Sequence, residues 1–259
     1  MRTIVVTVPV DAAELAADRL WSAGARAVEE RPLDGGRVEL RTSLAADDDT
    51  SRRRLGVVPA DWVVAFDEVE EVASEAWRDH ARPVTIRPGL VIAPAWTGVE
   101  PSPGGTVIRI EPGGSFGLGD HPTTRLSAAV VDELVRDGDR VLDVGCGSGV
   151  LSILAALRSA SRVVAVDIAE AAREATLDNA VRNGVADTIV VSTTPVGDVR
   201  GEFDVVVANI LAPELVGMAP ALRRLTGAAG ALVVSGVLEG GYDHVLDALH
   251  PMRCVDARH

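Results

Sequence analysis

The sequence predicts a doubly wound, mostly parallel α/β sheet preceded by a small α+β unit. Three observations predict it. From Gly119 onward, strands rich in Val, Ile and Leu alternate regularly with helical segments, the pattern of a parallel sheet covered on both faces. Before residue 70 the order is instead β-α-β-β-(α)-β, that of a ferredoxin-like unit. Third, the apolar run Arg140-Val141-Leu142 leads into "DVGCGSG", Asp143 to Gly149, where glycine or serine fills four of the last five positions. Such a stretch makes a poor helix interior and a natural strand-to-helix turn.

Each element follows from local pattern. Thr3 to Val8 reads as a strand. Asp11-Ala-Ala-Glu14 opens a helix with a capping box, and Ala12, Leu15, Ala16, Arg19 and Leu20 continue it at helical spacing until Gly24 stops it. Strands at Ala27 to Arg31 and Arg37 to Thr42 are joined by Asp34-Gly35-Gly36. Ala45 to Arg54 is a charged loop or short helix, and Trp62 to Phe66 is the fourth strand. Glu70 to Ala81 reads as a linking helix. Strands at Leu90 to Pro94 and Thr106 to Ile110, separated by the Pro/Gly loop Pro101 to Gly105, begin the second domain. There follow a helix over Thr123 to Val135, a strand over Arg140 to Val144 and the glycine turn. Next come a helix over Val150 to Arg158, a strand over Arg162 to Val166 and a helix over Ala169 to Arg182. Strands at Thr188 to Ser192, Phe203 to Ala208 and Ala231 to Val237 complete the sheet, and a last helix covers Gly240 to Leu249. The domain boundaries are thus 1–70, a link over 71–85, and 86–259.

Composition narrows the function. The formal charge is −13, which disfavours a long-range grip on nucleic acid or an anionic membrane and favours a basic protein or a small molecule. All 25 positive side chains are arginine, a compositional bias. Two distant cysteines, Cys146 and Cys254, make neither a disulfide framework nor a zinc pattern. The N-terminal apolar run ends at Pro9 and Asp11 without a small-residue cleavage site, so no signal peptide is expected. No apolar stretch approaches the roughly 18 residues of a membrane helix. A cytoplasmic monomer without a metal is the expectation.

The glycine turn is either a plain tight turn or a place where backbone N–H groups approach a ligand at a helix N-terminus. Asp167, 22 residues after Gly145, ends the next strand. There a carboxylate accepts both ribose hydroxyls of a nucleoside, or else serves as a helix N-cap. Asn209, in "DVVVANILA", ends the fourth strand. Its carbonyl can accept N–H bonds from an amine and aim that lone pair; the alternative is a turn asparagine that caps the next helix. The following Ile-Leu lacks the Pro-Pro-aromatic pattern of enzymes acting on bases or planar amides.

The D-x-G-x-G-x-G form, rather than G-x-G-x-x-G, resembles the first motif of class I S-adenosylmethionine-dependent methyltransferases. "EPGGSFGLGDHPTTR", Glu111 to Arg125, resembles the signature of the ribosomal protein L11 methyltransferase (PrmA) family. "DVGCGSGVL", "AVDI", "RNGV", "VVANILA" and "SGVL" follow in that family's order, and "AWRDHARPVTIRPGLVIAPAW" is similar to its interdomain helix and next strand. The resemblance implies a Rossmann-like methyltransferase sheet, S-adenosyl-L-methionine as cofactor, and methyl transfer to lysine and N-terminal amines of a large-subunit ribosomal protein. It also implies that the small first domain grips that protein. By matched position, Thr124, Gly145, Gly147, Asp167 and Asn209 would touch the cofactor, with Asn209 also facing the reacting amine. Phe116, Gly117, Gly119 and His121 would shape the loop over it, His121 as a loop-fixing hydrogen bonder or, less favoured, a proton acceptor.

Two departures stand out. Leu118 replaces the family's threonine. After the last helix only "PMRCVDARH" remains, enough for one strand, where the family sheet closes with two; an exposed sheet edge is expected. Three readings stay open: the ribosomal-protein methyltransferase, a methyltransferase with a changed protein or small-molecule substrate, and a non-catalytic cofactor-binding remnant.

Overall fold

The computed structural model describes residues 2–23, 25, 28–43, 55–56, 58–68, 81–111, 117–237 and 242–258. The predicted charged segment over 45–54 and nearly all of the linking helix fall outside these residues. The chain divides into two compact units, Met1–Ala81 and Arg82–His259.

In the first unit, β1 (Arg2–Pro9), β2 (Glu29–Leu33), β3 (Arg37–Ser43) and β4 (Val63–Glu68) form an antiparallel sheet in the order β2-β3-β1-β4. Alternation along β1 buries Ile4, Val6 and Val8. Helix α1 (Ala13–Ser22) adds Ala16 and Leu20, one turn apart, and Val38, Leu40, Leu55 and Trp62 complete this core. Two expectations shift. The predicted capping box is replaced by a 3-10 turn, Val10–Ala12, that contains Asp11 and has no side-chain cap. The Val10 N–H is held by the Gly36 carbonyl at 3.0 Å, so the chain tightens before the helix can start. Strand β2 runs two residues later than predicted because the tight turn at Asp34–Gly36 pairs Leu33 with Arg37. Gly35 and Gly36 both take left-handed φ there, +79° and +71°.

The second unit opens with β5 (Val84–Arg87), which the sequence reading missed. It pairs antiparallel with β6 (Leu90–Pro94), and β6 pairs parallel with β7 (Thr106–Ile110). After α2 (Pro122–Leu134) come β8 (Arg140–Val144), α3 (Val150–Leu157), β9 (Arg162–Val166), α4 (Glu170–Arg182), β10 (Ile189–Ser192), β11 (Phe203–Asn209), α5 (Ala212–Leu225), β12 (Thr226–Ser235) and α6 (Asp243–Leu249). The last five strands form one parallel sheet in the order β10-β9-β8-β11-β12. Both faces are buried. Val141, Val163, Ala165, Val205 and Val207 join α2, α3 and the strands β6 and β7 in one core. Leu142, Val144, Val166, Val206 and Ala208 join α5 and α6 in another. Near-continuous apolar strands are the sequence image of this double burial.

β12 starts five residues before the prediction, because a register irregularity lets Thr226 pair with Phe203 before the regular ladder resumes at Ala231. It stops at Ser235, ahead of Gly236 with φ +89°. The final residues, long enough for one strand, form none: 250–258 are irregular. Arg258 forks onto Glu133 of α2 at 3.0 and 2.6 Å.

Candidate active site

The strand order reverses between β8 and β11. Chain from β8 travels outward to β9 and β10, then returns to β11 on the other side. A ligand crevice forms at the carboxyl ends of the strands at such a switch point. Around it the structure gathers the glycine turn, Asp167, Asn209, Thr124 and the segment that resumes at Gly117. Phe116 lies outside the described residues.

Gly145, Gly147 and Gly149 all take positive φ: +73°, +53° and +81°. A Cβ on Gly145 would collide with Ile210, and one on Gly149 would lie 2.7 Å from Thr176 Cγ2 and 3.1 Å from its Cα. Gly145 and Gly149 are therefore closed to side chains on both conformational and packing grounds. Its N–H groups are partly committed: Gly145 and Cys146 donate to Val166 O at 2.8 and 3.2 Å, and Gly149 donates to Cys146 O at 2.8 Å. Gly147 N donates to Asp167 Oδ2 at 3.1 Å.

Asp167 does not cap α4, whose N-cap is Ala169. Its second oxygen accepts from Ala169 N at 2.9 Å. Two backbone bonds fix the carboxylate beside the glycine turn, and its remaining lone pairs can meet hydroxyls. Ile168 follows with 85% of its surface exposed, an apolar face beside a polar site. Sequence reasoning passed over it, because a lone apolar residue after a strand carries no pattern.

Asn209 does not cap α5 either; that helix starts from Leu211 without a side-chain cap. Its Nδ2 donates across the fold to Thr124 Oγ1 at 3.3 Å. Thr124 is buried in the first turn of α2. This bond orients the amide, and among the described residues nothing donates to Asn209 Oδ1. His121 is the N-cap of α2, its Nδ1 accepting from Thr123 N at 3.3 Å and lying 2.8 Å from Thr123 Oγ1. Gly119 approaches Ile92 so closely that a Cβ would lie 2.5 Å from its Cγ2. Leu118 packs against the core shared by β6, β7 and α3.

The crevice is electronegative. Asp143 is 1% exposed, and burial pushes its carboxyl up to about 6 despite hydrogen bonds from Ser152, one of them at 2.6 Å from the hydroxyl. The charge on Asp167 adds to that rise. Glu214, in the first turn of α5, is also raised, by burial first and then by Asp167. The Asp167 charge, felt by both Asp143 and Glu214, makes the crevice suit a cationic ligand. Cys146 is buried, and desolvation raises its thiol far from reactivity. Among the described residues no cluster of side chains is arranged to hold a metal, and no helix is long and apolar enough to cross a membrane.

A parallel sheet with a glycine turn after its first strand, an acid ending its second and an asparagine ending its fourth defines a Rossmann-like fold of the methyltransferase class. The family model described as ribosomal protein L11 methyltransferase (PrmA) matches residues 42–257, and the chain belongs to that family. A ribosomal protein L11 methyltransferase of Geobacter metallireducens is 44% identical over 178 residues, 69% of this chain and 58% of that one. One from Citrifermentans bemidjiense is 40% identical over 232 residues, covering 87% and 76%. A crystal structure of a ribosomal protein L11 methylase from Lactobacillus delbrueckii subsp. bulgaricus superposes with a TM-score of 0.60 at 33% identity, covering 65% of this chain and 86% of that one. The matched part spans 58% of the length of the Geobacter metallireducens and Syntrophotalea carbinolica relatives.

Proposed function

We propose that the chain is an S-adenosylmethionine-dependent protein N-methyltransferase that modifies lysine and N-terminal amines of ribosomal protein L11. One observation carries the chemical part: Asn209 gives an amide N–H to Thr124 while, among the described residues, its Oδ1 has no donor at the switch-point crevice. That oxygen is an acceptor for an attacking amine and orients its lone pair. A carboxylate there would ion-pair with the protonated amine and hold it in its unreactive form. A lysine amine has an ordinary pKa of about 10.4, and desolvation favours its neutral form.

The residues present fit the cofactor. Asp167 would take the ribose hydroxyls, Ile168 one face of the adenine, and the glycine turn the amino-acid portion. The acidic surroundings of Asp143 and Glu214 suit a sulfonium cation. When bound, S-adenosylmethionine supplies an electrophilic methyl, and the protein's task is alignment. The names of the relatives support L11 as the substrate. The first unit, a separate antiparallel sheet with its own core, would recognise it.

The test is the intact mass of purified ribosomal protein L11 after incubation with this protein and S-adenosylmethionine. Mass gains in steps of one methyl are expected, on lysine and the N-terminus by peptide mapping. Cofactor binding without any gain would sink the L11 assignment, and no cofactor binding would sink the enzyme reading.

A further inference from the structure

Strand β7 pairs with β6 on one side only. Its other edge is met by two side chains, that of Asn179 in α4 and that of Asn183, the C-cap of α4. Asn183 Oδ1 accepts from Arg109 N at 2.9 Å while its Nδ2 donates to Arg109 O at 2.8 Å. Asn179 Oδ1 accepts from Glu111 N at 2.9 Å while its Nδ2 donates to Glu111 O at 2.8 Å. Each carboxamide thus imitates a peptide group of a neighbouring strand. The geometry allows it because four residues of helix rise about 6 Å and two residues of strand span about 6.6 Å. Asparagines at i and i+4 therefore meet every second residue of a strand edge.

The two asparagines differ in where the remaining amide hydrogen goes. Asn183 returns it to its own helix, to Asn179 O at 2.8 Å. Asn179 gives it to Ser148 O of the glycine turn at 2.9 Å. Asn179 is fully buried and ties the glycine turn to Glu111, where the motif-bearing segment leaves β7. The same two segments meet again where Ser148 Oγ donates to Gly117 O at 2.5 Å. We propose that Asn179 is a positioning residue for the cofactor, holding the glycine turn at Ser148 in register with the chain at Glu111, whereas Asn183 anchors the strand alone. This rests on the crevice being the S-adenosylmethionine site.

The paired substitutions Asn179→Asp and Asn183→Asp test it. Each keeps the acceptor and replaces a donor with an oxygen facing carbonyls, so each lowers the melting temperature. In calorimetry with S-adenosylmethionine, Asn179→Asp should weaken binding about tenfold or more, with Asn183→Asp within about threefold of wild type. Equal losses in both, or an unchanged affinity in Asn179→Asp, would overturn the proposal. Asn179→Ser replaces Asn179→Asp if the latter does not fold. Amide hydrogen exchange at residues 145–149 without cofactor gives an independent reading: faster in the Asn179 variant and unchanged in the Asn183 variant. If wild type does not bind S-adenosylmethionine the cofactor reading fails, and exchange alone decides the clamp, equal rates in the two variants refuting it.

Discussion

Asp143, Asp167 and Asn209 lie at the carboxyl ends of three strands of one sheet, yet their surroundings give them different tasks. Asp167 is held by two backbone N–H groups and retains acceptor capacity, so Asp167→Ala should weaken cofactor binding by about 10- to 100-fold with the circular dichroism spectrum unchanged. Unaltered affinity by calorimetry would remove it from the site. If Asn209 aims the amine as proposed, Asn209→Ala should lower kcat more than cofactor affinity; equal losses would make it a cofactor contact only. Asp143 titrates against the fold. Its carboxyl is raised from 3.8 to about 6, so the native state holds its proton where the unfolded chain has released it. The associated stability is complete below pH 4 and is lost as pH rises through 6, about 3 kcal/mol in all. Between pH 4 and 6, ligand-free Asp143→Asn should therefore lack a downward component of stability that wild type shows in denaturant titrations.

Among the elements, the glycine turn is the most constrained. Gly145 combines φ +73° with Ile210 packed against the place a Cβ would occupy. Gly145→Ala is expected to cost about 1–3 kcal/mol and to impair cofactor binding. A substitution without effect on either thermal melting or affinity would show that the turn relaxes freely. Helix α4 has two jobs, its apolar face packing on the sheet and its asparagines completing the edge of β7. That second job accounts for polar residues on a buried helix face, where Asn179 would otherwise leave unsatisfied groups at high cost.

For the whole molecule, the two units have separate cores. A chain starting at Arg82 should fold, bind S-adenosylmethionine with near-normal affinity and fail to methylate ribosomal protein L11. Full methylation by this fragment would show that the first unit does not recognise the substrate. The net charge of −13 should draw a basic substrate from a distance, so kcat/KM for L11 is expected to fall as salt rises while cofactor affinity changes little.

How much of this was legible beforehand follows from the range of the forces involved. Strands β6 to β9 lie where the apolar runs placed them, and the glycine turn and both strand-end residues were visible, since periodicity and positive-φ chemistry act within a few residues. Strand β5 was missed because Val84 to Arg87 is short and its partner sets its register. The capping box at Asp11 gave way to a contact with Gly36, and Arg258 near the end of the chain pairs with Glu133. Both outcomes depend on residues distant in sequence. Asn179 was equally hidden: it lies ahead of "RNGV", which holds Asn183 and was recognised only by resemblance, and nothing local reveals that an amide on a helix completes a strand edge. The sequence by itself determined most of the elements of the parallel sheet and which residues have the right chemistry. Only the tertiary structure decided which hydrogen-bonding groups are already spent, and so which atoms, Asn209 Oδ1 and the free lone pairs of Asp167, are left to act, because hydrogen bonds between segments far apart in sequence exist only after the chain has packed.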